Sequence, residues 1–307
     1  MSSKQLISRL MPWISGNYRQ PMIARHVSAM CCRRPSFDRF YGTHRQQQQQ
    51  QTFTAETSDA SDQSSDDEYD GQQHDSSDEP IISLYDTHIP TTVTQKVLLS
   101  VGSAIAAITD PYRDDMIAVF GETTGYLALQ KMHKQMLSDD EGRQILEDKP
   151  RINSTTIDID RLATLPDGTF GRQYYNWLTI NNVTPDSRQP VKFVDDVHLA
   201  YVMQRYREVH DMIHAVLGMP TNMLGEVLVK WIEAIQTDLP MCWSAGLFGA
   251  VRLAPKQRKN YVTIGLPWAL KCGHEARSLI CIYYEKRFEQ NLDDLRRELK
   301  IPQIPKF

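Results

Sequence analysis

From Thr92 onward the chain is punctuated by helix caps and helix stops. It lacks the sustained alternation of apolar and polar residues that a half-buried strand requires. Thr92 followed by Gln95 is a capping box that opens a helix through about Ile108. Asp110-Pro111 sets a second start, stopping at Gly121, and Thr124 precedes a helix to Leu137. Ser138 with Glu141 is a further capping box before Pro150, and residues 151–168 are expected to be irregular around a Pro166-Asp167-Gly168 turn. A helix from about Phe170 to Ile180 and a loop holding Pro185 and Pro190 follow. The longest helix is expected over Val197–Leu217, capped by Asp195 or Asp196 and stopped by Gly218. Pro220 and Thr221 lead into another helix to about Thr237. Apolar segments at 241–252, 262–272 and 275–290 and a short helix near 292–299 complete the body. The pattern specifies an all-α fold.

The first eighty residues are excluded from that fold by composition. Residues 1–45 carry eight Lys/Arg against one acid, Asp38, with Leu6, Ile7, Leu10, Met11 and Ile14 at helical spacing, as in a mitochondrial transit peptide. A glutamine run, Gln46–Gln51, and a Ser/Asp tract with ten acids and no Lys or Arg between Glu56 and Glu79 come next. Such tracts cannot bury enough apolar surface to offset chain entropy, so disorder is expected. The expected organisation is a transit peptide at 1–40, a low-complexity segment at 41–83 and one helical domain at 84–307. After Glu79 there are 26 basic and 27 acidic residues, so the body has no nucleic-acid footprint. The five cysteines form no CxxC pair, which argues against a disulfide framework or a thiolate zinc site. The longest apolar stretches, such as 97–108, fall short of the ~20 residues needed to span a bilayer.

The chemistry concentrates in His210-Asp211-Met212-Ile213-His214, with Glu226 twelve residues beyond. At about 100° per residue, His214 lies about 40° and Asp211 about 100° from His210, so the three share one quadrant of the helix. Leu199, Met203, Tyr206, Ile213 and Leu217 lie on the same stripe, so this face looks inward. The Gly218-Met219-Pro220 turn folds the next helix back and brings Glu226 across from the histidine pair. One buried histidine is commonly satisfied by a neighbour. Two with an aspartate, opposite a glutamate, are costly to bury unpaired, and a divalent cation is the natural partner. Two imidazoles and two carboxylates suit zinc, iron or manganese; calcium and magnesium prefer all-oxygen shells. The motif is HDxxH rather than HExxH, and Asp211 is a methylene shorter than a peptidase glutamate, which weakens a hydrolase reading.

These segments also resemble a known family. RYREVHDMIHAVLGMPTNMLGEVLVKWIEAIQTDLPM, HIPTTVTQKVLLSVGSAIAAITDPYRDDMIAVFGETTG from His88 and PDSRQPVKFVDDVHLAYVMQRYRE from Pro185 are similar to the mitochondrial coenzyme Q biosynthesis protein four family. The likeness extends over residues 84–300; His198 is a local departure from it. It implies a zinc site at His210, Asp211, His214 and Glu226, and a peripheral protein on the matrix side of the inner mitochondrial membrane. The implied partners are the other subunits of the ubiquinone-biosynthesis complex, which the family organises. The implied reaction is C1 decarboxylation of 4-hydroxy-3-methoxy-5-polyprenylbenzoate, coupled in some accounts to C1 hydroxylation. The competing reading is a non-catalytic lipid-binding scaffold pinned by a structural metal. An open coordination position favours the enzyme and a closed four-ligand shell the scaffold. Arg205, Tyr206 and Arg207 are candidates for contact with the substrate carboxylate or phenol. Met241–Val251 and Leu279–Phe288 are expected to form apolar helices that supply a groove for the prenyl tail.

Overall fold

The first helix, α1 (Val93–Thr109), opens on the expected reciprocal cap: Thr92 accepts from the Gln95 N–H, and Thr92 donates its own N–H to the Gln95 side chain at 2.9 Å. A computed structural model of the chain describes residues 83–110 and 113–307. The segments expected at 1–40 and 41–83 lie outside the described residues, Ser83 apart, as does Pro111. Among the described residues there is no strand, and the β-type pairing is an isolated bridge between Thr169 and Asn291. The all-α reading stands.

The second helix, α2, runs Asp114–Thr124, starting later than Asp110 and passing through Gly121. Gly121 is a packing glycine rather than a stop, because a Cβ there would lie 2.3 Å from the Met241 sulfur. Next come α3 (Tyr126–Ser138) and α4 (Asp140–Asp148). The cap of α4 is Asp139, not Ser138, and it accepts from the Gly142 N–H at 3.0 Å. Glu141, the expected partner of Ser138, is instead drawn to Arg277, Arg287 and the Tyr283 N–H. A short helix, α5 (Ile159–Thr164), occupies part of the stretch read as irregular, and Gly168 makes its turn at φ +86°. Then follow α6 (Phe170–Asn181), α7 (Val197–Leu217) and α8 (Met223–Thr237). Asp196 caps α7, and Gly218 ends it in the left-handed conformation at φ 61°.

The chain continues through α9 (Pro240–Val251), α10 (Pro255–Asn260), a π-helical turn at Tyr261–Gly265 and α11 (Leu266–Glu275). Leu279–Phe288 does not form the expected helix; it makes two 3-10 turns, Leu279–Cys281 and Tyr284–Lys286. Distant side chains take the backbone bonds that a helix would use. The Leu279 N–H goes to Gln236, the Tyr283 N–H to Glu141, and the Ile282 carbonyl accepts from Arg205 at 3.1 Å. The chain then forms α12 (Leu292–Glu298).

The axis of the domain is α7, about 31 Å long at 1.5 Å per residue. It is buried almost without interruption from Leu199 to Leu217, packed by Leu129, Met132 and Met136 of α3 and Met241 and Cys242 of α9. Charged residues sit in this core because each is paired. Arg205 is held by Glu285, Arg207 by Glu122 at 2.6 Å, and Glu208 by Arg151 and the Ile152 N–H at 2.8 Å each. Arg205 and Arg207, read as candidates for substrate contact, thus have internal partners. Removing one member of such a buried pair typically costs about 3–5 kcal/mol.

Candidate metal centre

The turn between α7 and α8 aligns the site. Gly218 closes α7, Asn222 caps α8 by accepting from the Gly225 N–H at 3.0 Å, and Glu226 stands in the first turn of α8. His210 and His214 are one turn apart on α7, their rings edge to face with centroids 4.7 Å apart. Their Nε2 atoms lie 3.6 and 3.4 Å from one Glu226 carboxylate oxygen. One ligand atom from each of the three residues falls within 4.8 Å of the others.

Hydrogen bonds on the far side of each ring set its protonation. His214 Nδ1 donates to the Met219 carbonyl at 3.1 Å, and a carbonyl can only accept. His210 Nδ1 lies 2.6 Å from Glu233 Oε1. Burial alone would raise the Glu233 pKa, but His210 and Lys230 hold the carboxyl far below its usual range. It is therefore a carboxylate that accepts from the ring. In the neutral rings both Nε2 lone pairs then face one Glu226 carboxylate oxygen. His214 Nε2 is buried without a hydrogen-bond partner. Converging electron pairs with no donor between them form a cradle for a cation. The 3.4–3.6 Å spacings approach the edge of about 3.3 Å of a tetrahedron with bonds of about 2.05 Å. The residues fit a metal. Their outer partners, Glu233 and the Met219 carbonyl, are of the kind that orient metal-bound histidines.

Asp211 stands apart from the converging trio. It is 2% exposed, and its Oδ1 is ion-paired with Arg188 from the loop before α7. On the outer side Glu226 and Arg188 are the accessible groups, with 35% and 33% of their side chains exposed. Behind His210 lies a closed polar network. Glu233 accepts from Tyr206 at 2.7 Å and from Lys230 at 2.8 Å, and Tyr206 touches the Cys242 sulfur at 3.0 Å. Burial and the neighbouring Glu233 push the Cys242 thiol up to about 12, so it is not a thiolate. Sequence reasoning missed Glu233 and Arg188. Glu233 had a signal, since it lies two turns beyond Glu226 and hence on the same face of α8. Arg188, 23 residues before Asp211, had none.

Residues 85–305 match the family model described as Coenzyme Q (ubiquinone) biosynthesis protein Coq4. The chain is 59% identical over 213 residues to the mitochondrial ubiquinone biosynthesis protein COQ4 homolog of Aedes aegypti, covering 69% of this chain and 78% of the relative. It is 54% identical over 222 residues to the homolog of Bos taurus, covering 72% and 84%. A crystal structure of a protein from Nostoc punctiforme PCC 73102, named for ubiquinone biosynthesis, shares the fold at a TM-score of 0.54 and 19% identity, covering 69% of this chain and all of that one. The extent of the family match and the identity to these relatives make the chain a member of the coenzyme Q (ubiquinone) biosynthesis protein Coq4 family.

Proposed function

We propose that this chain is a metal-dependent carboxy-lyase of ubiquinone biosynthesis, acting on 4-hydroxy-3-methoxy-5-polyprenylbenzoate. The observation that carries the reading is the His210–His214–Glu226 cradle, sealed behind by Glu233 and Met219 and accessible on the Glu226 side. His210, His214 and Glu226 would hold a divalent cation; zinc, iron and manganese all suit this donor set. The bound ion would supply Lewis acidity for charge developing on a substrate oxygen. In the simplest balance the ring gains a proton at C1 and loses the carboxylate as CO2, the electrons of the broken bond staying in the ring. The scaffold alternative predicts a closed four-ligand shell. The engagement of Asp211 with Arg188 and the exposure of Glu226 favour the enzyme. The test is elemental analysis of purified protein with turnover of the prenylated benzoate under air and under argon. A product bearing hydrogen at C1 under argon is expected. Metal-loaded protein that releases no CO2 under either gas would leave the scaffold.

A water-insoluble substrate calls for a protein at the membrane surface. No helix among the described residues is long and apolar enough to cross a bilayer. Leu279–Cys281, Ile282 and Tyr284 are buried in the core and form no apolar helix open to a tail, contrary to the expectation for Leu279–Phe288. The open apolar surface lies on α1. Val93, Val97, Leu98, Val101, Ile105 and Ile108 share one exposed face, with Leu98 at 68% and Ile105 at 62%. Arg252 ties the end of that helix to α9 by donating to the Ile108 carbonyl, next to exposed Phe248 and Val251. Residues 239–274 contain no acid and five Lys/Arg: Arg252, Lys256, Arg258, Lys259 and Lys271. An apolar helix face beside a basic segment suits an anionic lipid surface, which fits the matrix face of the inner membrane. The protein should float with cardiolipin vesicles and not with neutral phosphatidylcholine. Leu98→Glu with Ile105→Glu should abolish flotation, and undiminished flotation of that variant would defeat the assignment. The same face leaves room for the other subunits of the biosynthetic complex as alternative occupants, which purified vesicles alone would fail to capture.

A further inference from the structure

We propose that Arg188 and Tyr174 form a recognition site for the carboxylate of an aromatic acid, beside the metal centre. This rests on the reading of the site as one that acts on an aromatic carboxylate, and it names the groups that would hold that carboxylate. Two observations carry it. The first is that a buried polar atom on each residue has nothing to bind. Arg188 commits its Nη2 to Asp211, while its Nε is buried and lacks an acceptor. The Tyr174 hydroxyl lacks a partner as well, on a side chain with no exposure at all. A buried donor without a partner costs about 1–3 kcal/mol, so each of the two calls for an explanation.

The second observation is register. On α6, Trp177 packs against His214, with ring centroids 5.4 Å apart, and donates its indole N–H to the Met219 carbonyl at 3.0 Å. Tyr174 precedes Trp177 by three residues as Asp211 precedes His214 by three, so the two helices bring Tyr174 to the level of Asp211. Among charged groups, Asp211 and then Arg188 act most strongly on the Tyr174 hydroxyl. Arg188 in turn is acted on by Asp211, Glu226 and Glu233. The guanidinium is therefore near enough to feel both the tyrosine and the metal trio, and its side chain is partly exposed.

The chemistry identifies the ligand as an anion with in-plane oxygens. The free Nε–H of Arg188 lies in the guanidinium plane and can donate to a carboxylate oxygen, and a phenol can donate to the same group. Burial holds the Tyr174 hydroxyl protonated, so it acts as a donor. The ring of Tyr174 stacks on Phe170 and Phe288, at centroid distances of 6.4 Å to each, which fixes its direction. Lysine at 188 could keep a charge toward Asp211 but not the in-plane Nε–H, and phenylalanine at 174 would remove the second donor without changing the shape.

The test uses the full chain loaded with zinc, its metal content verified by elemental analysis. 4-Hydroxybenzoate and its methyl ester are titrated calorimetrically. The acid should bind about tenfold or more tightly than the ester. Tyr174→Phe and Arg188→Lys should each weaken the acid about tenfold, leave the ester unchanged and leave the metal content unchanged. Equal binding of acid and ester would overturn the proposal, as would wild-type affinity for the acid in both variants. Loss of metal from either variant would overturn it too, by showing that the residue supports the centre instead of the ligand. If the acid preference depends on both residues and the prenylated acid still releases no CO2, the proposed reaction fails and the recognition site stands. Release of CO2 with an unchanged KM in both variants would instead refute the recognition site and leave the reaction standing.

Discussion

Glu233→Gln separates metal support from ordinary core packing. The side chain is 2% exposed and receives His210 Nδ1 at 2.6 Å, Tyr206 at 2.7 Å and Lys230 at 2.8 Å. Glutamine keeps the shape and the Tyr206 contact but removes the charge that faces Lys230 and the His210 ring. Lys230 is then left largely buried, its side chain 16% exposed, without its carboxylate. Breaking a buried pair costs about 3–5 kcal/mol, and retention of the Tyr206 bond puts this case near 3 kcal/mol. For a domain of this size about 2–4 °C of Tm accompanies each kcal/mol, so a fall of roughly 6–12 °C is expected. Loss of the ring's orienting partner should also weaken metal binding by about 10–100-fold. Thermal melts with and without chelator, and competition against a fluorescent zinc indicator, read the two effects. Glu208→Gln is the control, since Glu208 is an equally buried carboxylate paired with Arg151 and the Ile152 N–H. It should lower Tm and leave metal affinity alone. If both variants lose Tm equally and both keep wild-type metal affinity, Glu233 is a packing residue and the reasoning fails.

Four further outcomes are expected. His210→Ala, His214→Ala and Glu226→Ala should each abolish metal binding and activity together, and Asp211→Asn should weaken both; unchanged stoichiometry in His214→Ala by elemental analysis would rule out the site. Gly225→Ala would place a Cβ 2.0 Å from the Pro220 carbonyl oxygen. Melts should show a loss of about 1–3 kcal/mol, typical of overpacking, and an unchanged Tm would mean that the turn is not fixed as described. Burial alone would raise the Glu141 carboxyl, but bonds from Arg287, the Tyr283 N–H and Arg277 lower it overall. Its contribution to stability is therefore complete above the unfolded value of about 4.3 and is lost as pH falls through the lower folded value. Glu141→Gln should accordingly flatten the acid limb of stability below about pH 4, and identical acid limbs would refute the assignment. Residues 1–40 should be removed on mitochondrial import, and mature protein with Met1 or Ser2 intact would disprove that.

What the sequence revealed and what it concealed divide along local and distant bonds. The caps at Thr92, Asp196 and Gly218 were readable because each is satisfied within a few residues of itself. Ser138 and Glu141 looked like a cap by the same rule, yet Arg277 and Arg287, more than 130 residues away, claim Glu141. Leu279–Phe288 is not a helix for the same reason, its backbone being bonded by Gln236, Glu141 and Arg205. On α7 the apolar stripe located the inward face but not the depth. Arg205 and Arg207, candidates for substrate contact by sequence, are core residues together with Glu208, because their partners come from other elements. The trio His210, His214 and Glu226 was legible from helical spacing and one turn. Asp211 shared that spacing, but nothing nearby in sequence indicated that Arg188 would engage it.

The indole of Trp177 shares the Met219 carbonyl with His214 and lies against its imidazole. That proximity makes it a native optical reporter of the metal centre. Unpaired electrons quench a neighbouring excited indole, whereas a closed-shell ion does not. Iron or manganese should therefore darken the emission of Trp177 and zinc should leave it bright. The difference between wild type and Trp177→Phe isolates that signal from the other four tryptophans, so the identity of the ion can be followed by fluorescence in the intact protein.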